Sequence, residues 1–313
     1  MKRLAGAATA LILAGCTARS TSPPAPGAAA DPEPAAVIAG TEGPTVDADG
    51  FVYFTELISQ RILLLSPNGI VSIYRGDSNG ANGMLIDPQD RMIVCEASDR
   101  RRRQARVTRT DLSTGQFEIL TDNYRGQPYR APNDLTMDAR GRIYFTDAGP
   151  VGQLDGAVYR IDPDGSVTRL LAAPAIERPN GLVISPDDKI LYLVESNRVP
   201  ELDRRSRPAR MIRAYDLSPA GELANMRVFH DFYPGRSADG LCIDTQGNVY
   251  AAAGLIQRRY TDETLDTKAG IHVFFARRAA HRLHSNSRGP GHQLLFWWAG
   301  RPDAIRHVWE DGV

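Results

Sequence analysis

Five polar side chains hold the same place in five similar stretches of this 313-residue chain: Glu42, Asn82, Asn133, Asn180 and Asp239. A carboxylate can bind a cation or take a proton, and a carboxamide offers a carbonyl oxygen, so such groups gathered on one axis would make a polar site. The plainer reading is that Asn and Asp before Gly are turn formers. It serves for one or two of the five, but not for Glu42 and not for a convergent set. The chain has no Gly-x-Ser-x-Gly elbow, which argues against a serine nucleophile.

The stretches are TEGPTVDADGFVYFTE, ANGMLIDPQDRMIVCE, PNDLTMDARGRIYFTD, PNGLVISPDDKILYLVE and ADGLCIDTQGNVYAAA, with lead residues 40, 51, 47 and 59 positions apart. Periods of this size with several short strands each mark the blades of a β-propeller, and no useful length of helical period interrupts them. Within a stretch, Asp-x-x-Gly (Asp47 to Gly50, Asp138 to Gly141, Asp244 to Gly247) supplies a hairpin turn, since Gly tolerates the positive φ such turns need. A second hairpin follows in most units, around Pro67-Asn68-Gly69, Pro163-Asp164-Gly165 and Pro219-Ala220-Gly221. Four strands per repeat make a blade, and five blades are visible. Each lead residue sits where the chain enters the first strand, which in a propeller lines the central channel.

These motifs resemble the gluconolactonase and regucalcin (senescence marker protein) family of calcium-dependent propellers, from residue 41 to about residue 275. The resemblance implies an all-β fold, a six-bladed β-propeller of four-stranded antiparallel blades. It gives the role of the family's Glu-Gly-Pro metal ligand to Glu42. Asn133 of APNDLTMDARGRIYFTDAG would face the metal or the substrate, Asn180 would be a second amide ligand, and Asp239 would be the essential aspartate, both ligand and general base. Two carboxylates and two amide oxygens suit a hard cation with room left for water or substrate. Ca2+ accepts such loose geometry better than Mg2+, with Zn2+ and Mn2+ as further alternatives. The implied activity is hydrolysis of a lactone, the cation polarising the carbonyl while Asp239 activates water or attacks. The alternatives are a phosphotriester or aryl ester at the same site, and a non-catalytic propeller that presents a binding surface or is an inactive truncated homologue.

Some residues depart from the family pattern. Ala97 stands where relatives often carry His, and Arg130-Ala131 replaces Asn-Ser ahead of Pro132-Asn133, so the substrate does not transfer. Arg130 could bind a carboxylate on an acidic lactone, with a solvated position favoured about two to one. Asn82 is equally a substrate contact or a turn residue. Arg100 to Arg103 read as a solvated outer loop, and Cys95 and Cys242 as core residues.

Lys2 and Arg3 precede the apolar run Leu4 to Leu13, which is too short to cross a bilayer and reads as a secretory signal. It ends in Leu13-Ala14-Gly15-Cys16, which resembles a bacterial lipobox, so residues 1–16 are expected to be a signal with Cys16 as the acylated residue. Thr17 after the cysteine favours the outer membrane. Residues 17–36 are rich in Pro, Ala, Ser and Thr and form a tether. The expected partners are thus a small lactone or ester and a membrane reached only through the lipid, and the protein is expected to be a monomer. Lys plus Arg and Asp plus Glu number 37 each, which gives no reason to expect nucleic-acid binding.

Residues 37–275 hold the five blades, and beyond them the pattern stops. Residues 276–313 lack strand alternation, carry four of the six His and do not read as a sixth blade. With three Lys among 37 basic residues the gene is expected to be GC-rich. One choice of synonymous codons read one base later gives a Pro-Asp-Gly hairpin, Gly-Gly-Pro-Asp and a Leu-Tyr-Val-Thr strand. A frameshift in the gene is therefore the expected cause, scrambling the last blade and leaving function dependent on ring closure.

Overall fold

The computed structural model describes residues 38, 40–98, 104–149, 153–197, 207–258, 264–276, 281–285, 295–296 and 307–308. Cys16, the tether and Arg100 to Arg103 lie outside the described residues, as does most of 276–313. Every described residue belongs to the unit Asp31–Val313. No described helix is long and apolar enough to cross a membrane.

Alternating apolar residues and turn signals fold into five four-stranded antiparallel sheets, each in simple up-and-down order. The first holds β1 (Thr41–Val46), β2 (Val52–Glu56), β3 (Arg61–Leu65) and β4 (Val71–Arg75). The second holds β5 (Ala81–Ile86), β6 (Arg91–Glu96), β7 (Arg106–Asp111) and β8 (Phe117–Thr121). A short ribbon of β9 (Asn123–Tyr124) and β10 (Gln127–Pro128) leads to the third sheet: β11 (Pro132–Met137), β12 (Ile143–Asp147), β13 (Ala157–Ile161) and β14 (Val167–Ala172). The fourth contains β15 (Pro179–Ile184), β16 (Ile190–Ser196), β17 (Arg210–Leu217) and β18 (Leu223–Asp231). The fifth contains β19 (Ala238–Ile243), β20 (Val249–Ala253), β21 (Gly270–Phe274) and β22 (His281–Ser285). A last ribbon pairs β23 (Leu295–Phe296) with β24 (His307–Val308).

The first strands β1, β5, β11, β15 and β19 lie side by side in that order, and β24 lies against both β1 and β19. The architecture is therefore an all-β propeller with four-stranded antiparallel blades, five of them among the described residues. The sequence reading ended blade five at residue 275. The fold draws its fourth strand, β22, from the segment beyond, because β21 offers a free edge that His281–Ser285 pairs along its whole length.

Both hairpin signals act as the residues dictate. Gly50, Gly141 and Gly247 take φ of 84°, 77° and 82°, and each N–H donates to the carbonyl of the Asp that opens its turn. The Asp47 carboxylate accepts from the N–H groups of Asp49 and Phe51, which closes the turn from inside.

The core lies between blades. Because strand neighbours point to opposite faces, Phe145 and Tyr159 pack toward blade two, against Leu85, Ile93 and Val107. Tyr144 and Val158 from the same strands pack toward blade four, against Leu182, Leu191 and Leu193. The outward faces of blades one and five are buried too, around Phe54 and Ile271.

A carboxylate near the end of the second strand ties each of the first four blades together. Asp147 accepts from the N–H groups of Arg130 at 2.9 Å and Ala131 at 2.6 Å. Glu195 accepts from the N–H groups of Glu177 and Arg178, Glu96 from Arg75, Arg106 and Asn79, and Glu56 from Ser59 N and Arg61. In the fifth blade Ala253 stands at this place.

Candidate active site in the axial channel

The five first strands share one irregularity. Each breaks register with its partner at the lead residue: between Glu42 and Thr45, Ala81 and Met84, Pro132 and Leu135, Pro179 and Leu182, and Ala238 and Leu241. Register breaks of this kind are how β-bulges re-aim side chains. The turn reading of Asn and Asp before Gly is thereby corrected, because the lead residues lie inside strands.

The glycines that follow have a different purpose from turning. A Cβ on Gly83 would lie 2.5 Å from Asp134 Oδ1 and 2.7 Å from Asn133 O, and one on Gly181 would lie 2.5 Å from Asp239 O. A Cβ on Gly43, whose φ is +45°, would meet Asn82 O at 2.3 Å. Small residues let adjacent first strands close around a narrow axis. The enclosed channel has a volume of about 420 Å³ and is lined at one end by Glu42, Asn82, Asn133, Asp134 and Asn180, and further along by Met84, Leu135 and Leu182.

Asp239 joins this set through Asn180, whose Nδ2 donates to Asp239 Oδ1 across the seam between blades four and five. Asn180 Nδ2 also reaches Ser196 Oγ at 3.3 Å. Arg236 Nη2 donates to Asp239 Oδ2 at 3.1 Å. Asn82 is on the channel wall, its carbonyl accepting from Thr55 Oγ1 of the neighbouring blade. Arg130 is not among the lining residues, because its guanidinium pairs with Asp155 at 2.7 Å on an exposed loop. The structure thus places Arg130 in an exposed ion pair, apart from the residues that line the channel.

Asp134 is the site residue that the sequence reading passed over. It occupies the place that Gly takes in the other four units, and its carboxylate lies beside Gly83 of blade two and accepts from Leu182 of blade four. Burial pushes its carboxyl up to about 7 and the nearby Asp239 charge adds to the rise, against the N–H groups of Leu135 and Leu182 that it accepts from. The break in the Asn-Gly pattern at this one unit was the signal available.

Among the described residues no three His, Cys, Asp or Glu side chains cluster as a metal site. The donors present are instead carboxylates mixed with amides. Glu42, the amides of Asn133 and Asn180, and Asp239 beside buried Asp134 are oxygen donors of the kind a hard cation takes. The oxygen set fits such an ion. Cys95 is fully buried and its thiol is pushed well up by burial, and Cys242 is buried on β19, so both are core residues.

A propeller whose bulged inner strands bring carboxylates and carboxamides to one end of an axial channel is the class that fold and site define. The chain belongs to the SMP-30/gluconolactonase/LRE-like region family, whose model matches residues 40–269. It is 29% identical over 245 residues to the gluconolactonase of Zymomonas mobilis, covering 68% of this chain and 64% of that protein. It is 30% identical over 178 residues to lactonohydrolase oryL of Aspergillus oryzae, covering 49% of this chain and 40% of that one. The chain thus spans less than two thirds of the length of these curated relatives. Among solved structures, a gluconolactonase of Xanthomonas campestris superposes with a TM-score of 0.65 at 24% identity over 88% of each chain. Regucalcin of Agrobacterium tumefaciens, a calcium-binding protein, gives 0.60 at 16% identity, covering 88% of this chain and 93% of that one. At such identities the superpositions establish the fold.

Proposed function

We propose that the chain is a calcium-dependent lactone hydrolase whose ion is held by Glu42, Asn133, Asn180 and Asp239 at one end of the channel of a six-bladed propeller. The observation that carries this reading is that the first strand of each of the five described blades breaks register at its oxygen-bearing lead residue. The lactonase relatives support the substrate class. The position of β24 between β1 and β19 supports a sixth blade position.

When bound, the cation supplies Lewis-acid polarisation of the lactone carbonyl. Asp239 takes the proton of the attacking water as general base, with Asn180 and Arg236 holding its two oxygens. Asn82 positions substrate on the wall, and Met84, Leu135 and Leu182 give the channel an apolar flank for the substrate carbons. Export and anchoring through an acylated Cys16 complete the reading, and loss of fatty-acid labelling in Cys16→Ala checks it. Sequencing of codons 270 to 280 decides whether residues 276–313 reflect a frameshift.

The test of the site is Ca2+ titration calorimetry on the full chain, with hydrolysis of a glucono-lactone followed in parallel. Asp239→Asn and Glu42→Gln are each expected to weaken Ca2+ binding by about tenfold or more and to remove turnover, as expected for ligand loss. Unchanged affinity in both variants rejects the metal assignment. Turnover of aryl esters or phosphotriesters in preference to lactones selects the second substrate class.

A further inference from the structure

Asp239 is held by a buried mount just ahead of it in the chain. Arg236, 3% exposed, lies three residues earlier and pairs with Asp239 Oδ2 at 3.1 Å. The backbone around Arg236 is anchored on several sides. Pro234 O accepts from Arg210 Nη1 at 2.9 Å and from Thr264 N, and Ser237 Oγ donates to Glu195 O at 2.8 Å. Gly235 N donates to Phe232 O at 2.8 Å, and a Cβ on Gly235 would lie 2.7 Å from Thr267 N, so the neighbouring segment presses directly on this loop. The guanidinium is thus built from a fixed backbone on a buried seam.

We infer that Arg236 is the built-in counter-charge of Asp239, fixing the direction of its carboxylate and setting by repulsion how tightly the channel takes a divalent cation. The inference rests on the calcium reading above. A positive charge one ion pair away from a ligand carboxylate acts in two ways. It holds Oδ2, so that Oδ1 is the oxygen turned toward Asn180. It also lowers the negative potential at Asp239 and the neighbouring Asp134, and it repels an incoming cation. Asn180 keeps its own hold on Oδ1, so removal of the charge leaves that oxygen oriented while the repulsion disappears. Repulsion therefore dominates the effect on affinity.

The experiment is Ca2+ titration calorimetry on the full chain and on Arg236→Gln, Arg236→Met, Arg236→Lys and Asp239→Asn at one pH and ionic strength. Arg236→Gln and Arg236→Met are expected to bind Ca2+ about three- to tenfold more tightly, from the removal of one nearby charge. Arg236→Lys keeps the charge and is expected to stay within about twofold of the parent chain. Thermal melts in EDTA identify the folded variants, and Met serves in place of Gln should Gln not fold. An arginine that merely props the loop gives equal or weaker binding in the Gln and Met variants, and that result overturns the inference while Asp239→Asn still loses Ca2+. A parent chain that binds no Ca2+, or binds it unchanged in Asp239→Asn, overturns the calcium reading and the inference together.

Discussion

Asn180 and Asp239 meet side chain to side chain across the seam between the fourth and fifth blades, Nδ2 of the first donating to Oδ1 of the second. Each residue sits where its strand breaks register with its partner, between Pro179 and Leu182 in β15 and between Ala238 and Leu241 in β19, the irregularity by which a bulge re-aims a side chain. The pair links a local backbone irregularity to the chemistry of the site.

Replacing Asn180 by Asp puts two carboxylates at that contact. In EDTA, Asn180→Asp is expected to lower the thermal midpoint by about 2–5 °C through like-charge repulsion. Added Ca2+ should recover most of the loss, because an ion bound only by the folded chain stabilises it by mass action. Scanning fluorimetry with and without Ca2+ checks this, and an equal drop in both conditions places the cation elsewhere.

Gly181 is a packing requirement and Gly69 a conformational one. Gly181→Ala drives a Cβ to 2.5 Å from Asp239 O, so the two first strands must part, at a cost of about 1–3 kcal/mol. Gly69 has open space around it but a φ of +85°, so Gly69→Ala costs about 1–2 kcal/mol through backbone strain alone. Urea midpoints give both costs. Only Gly181→Ala is expected also to weaken Ca2+ binding.

Glu56 provides a pH signature on the opposite side of the molecule's charge ledger. Burial works to raise its carboxyl, but the Ser59 N–H and the Arg61 guanidinium, 2.8 Å away, outweigh it and hold the group below its ordinary value. A lowered folded value means stability that is present above the unfolded carboxylate range and lost as pH falls through the folded value. Glu56→Gln is therefore expected to cost about 1–2 kcal/mol at pH 7, and the gap to the parent chain should close below about pH 4. Urea melts across that range decide it; a gap independent of pH shows that shape, not charge, matters here.

The repeat was legible because its physics is local. Asp-x-x-Gly and Pro-x-Gly fix their turns within four residues, so the hairpins around Gly50, Gly141 and Gly165 follow from sequence. Lead residues were legible for the same reason, as a fixed place in each unit. What sequence could not supply was the contact across seams. Asp134 was passed over because its importance comes from Gly83 on one side and Leu182 on the other, 51 and 48 residues distant. Nothing in sequence pairs Arg130 with Asp155, which the loop after β12 brings within 2.7 Å. No motif marks Arg236, whose pairing with Asp239 arises from the folded loop between β18 and β19.

The acidic ties at the ends of the second strands set how the site comes apart. In blades three and four, Asp147 and Glu195 hold the loop leading to their own lead residue, so Asn133 and Asn180 stay in place as long as their own blade is intact. Blade five has Ala253 there, and its loop is moored to Arg210 of the fourth blade and to the segment around Thr264 and Thr267. Local opening of either neighbour is thus expected to loosen the loop that carries Asp239. Amide exchange near Ser237 should then track that of residues 264–268, and the residence time of anything bound at Asp239 is expected to follow the opening of that adjoining segment.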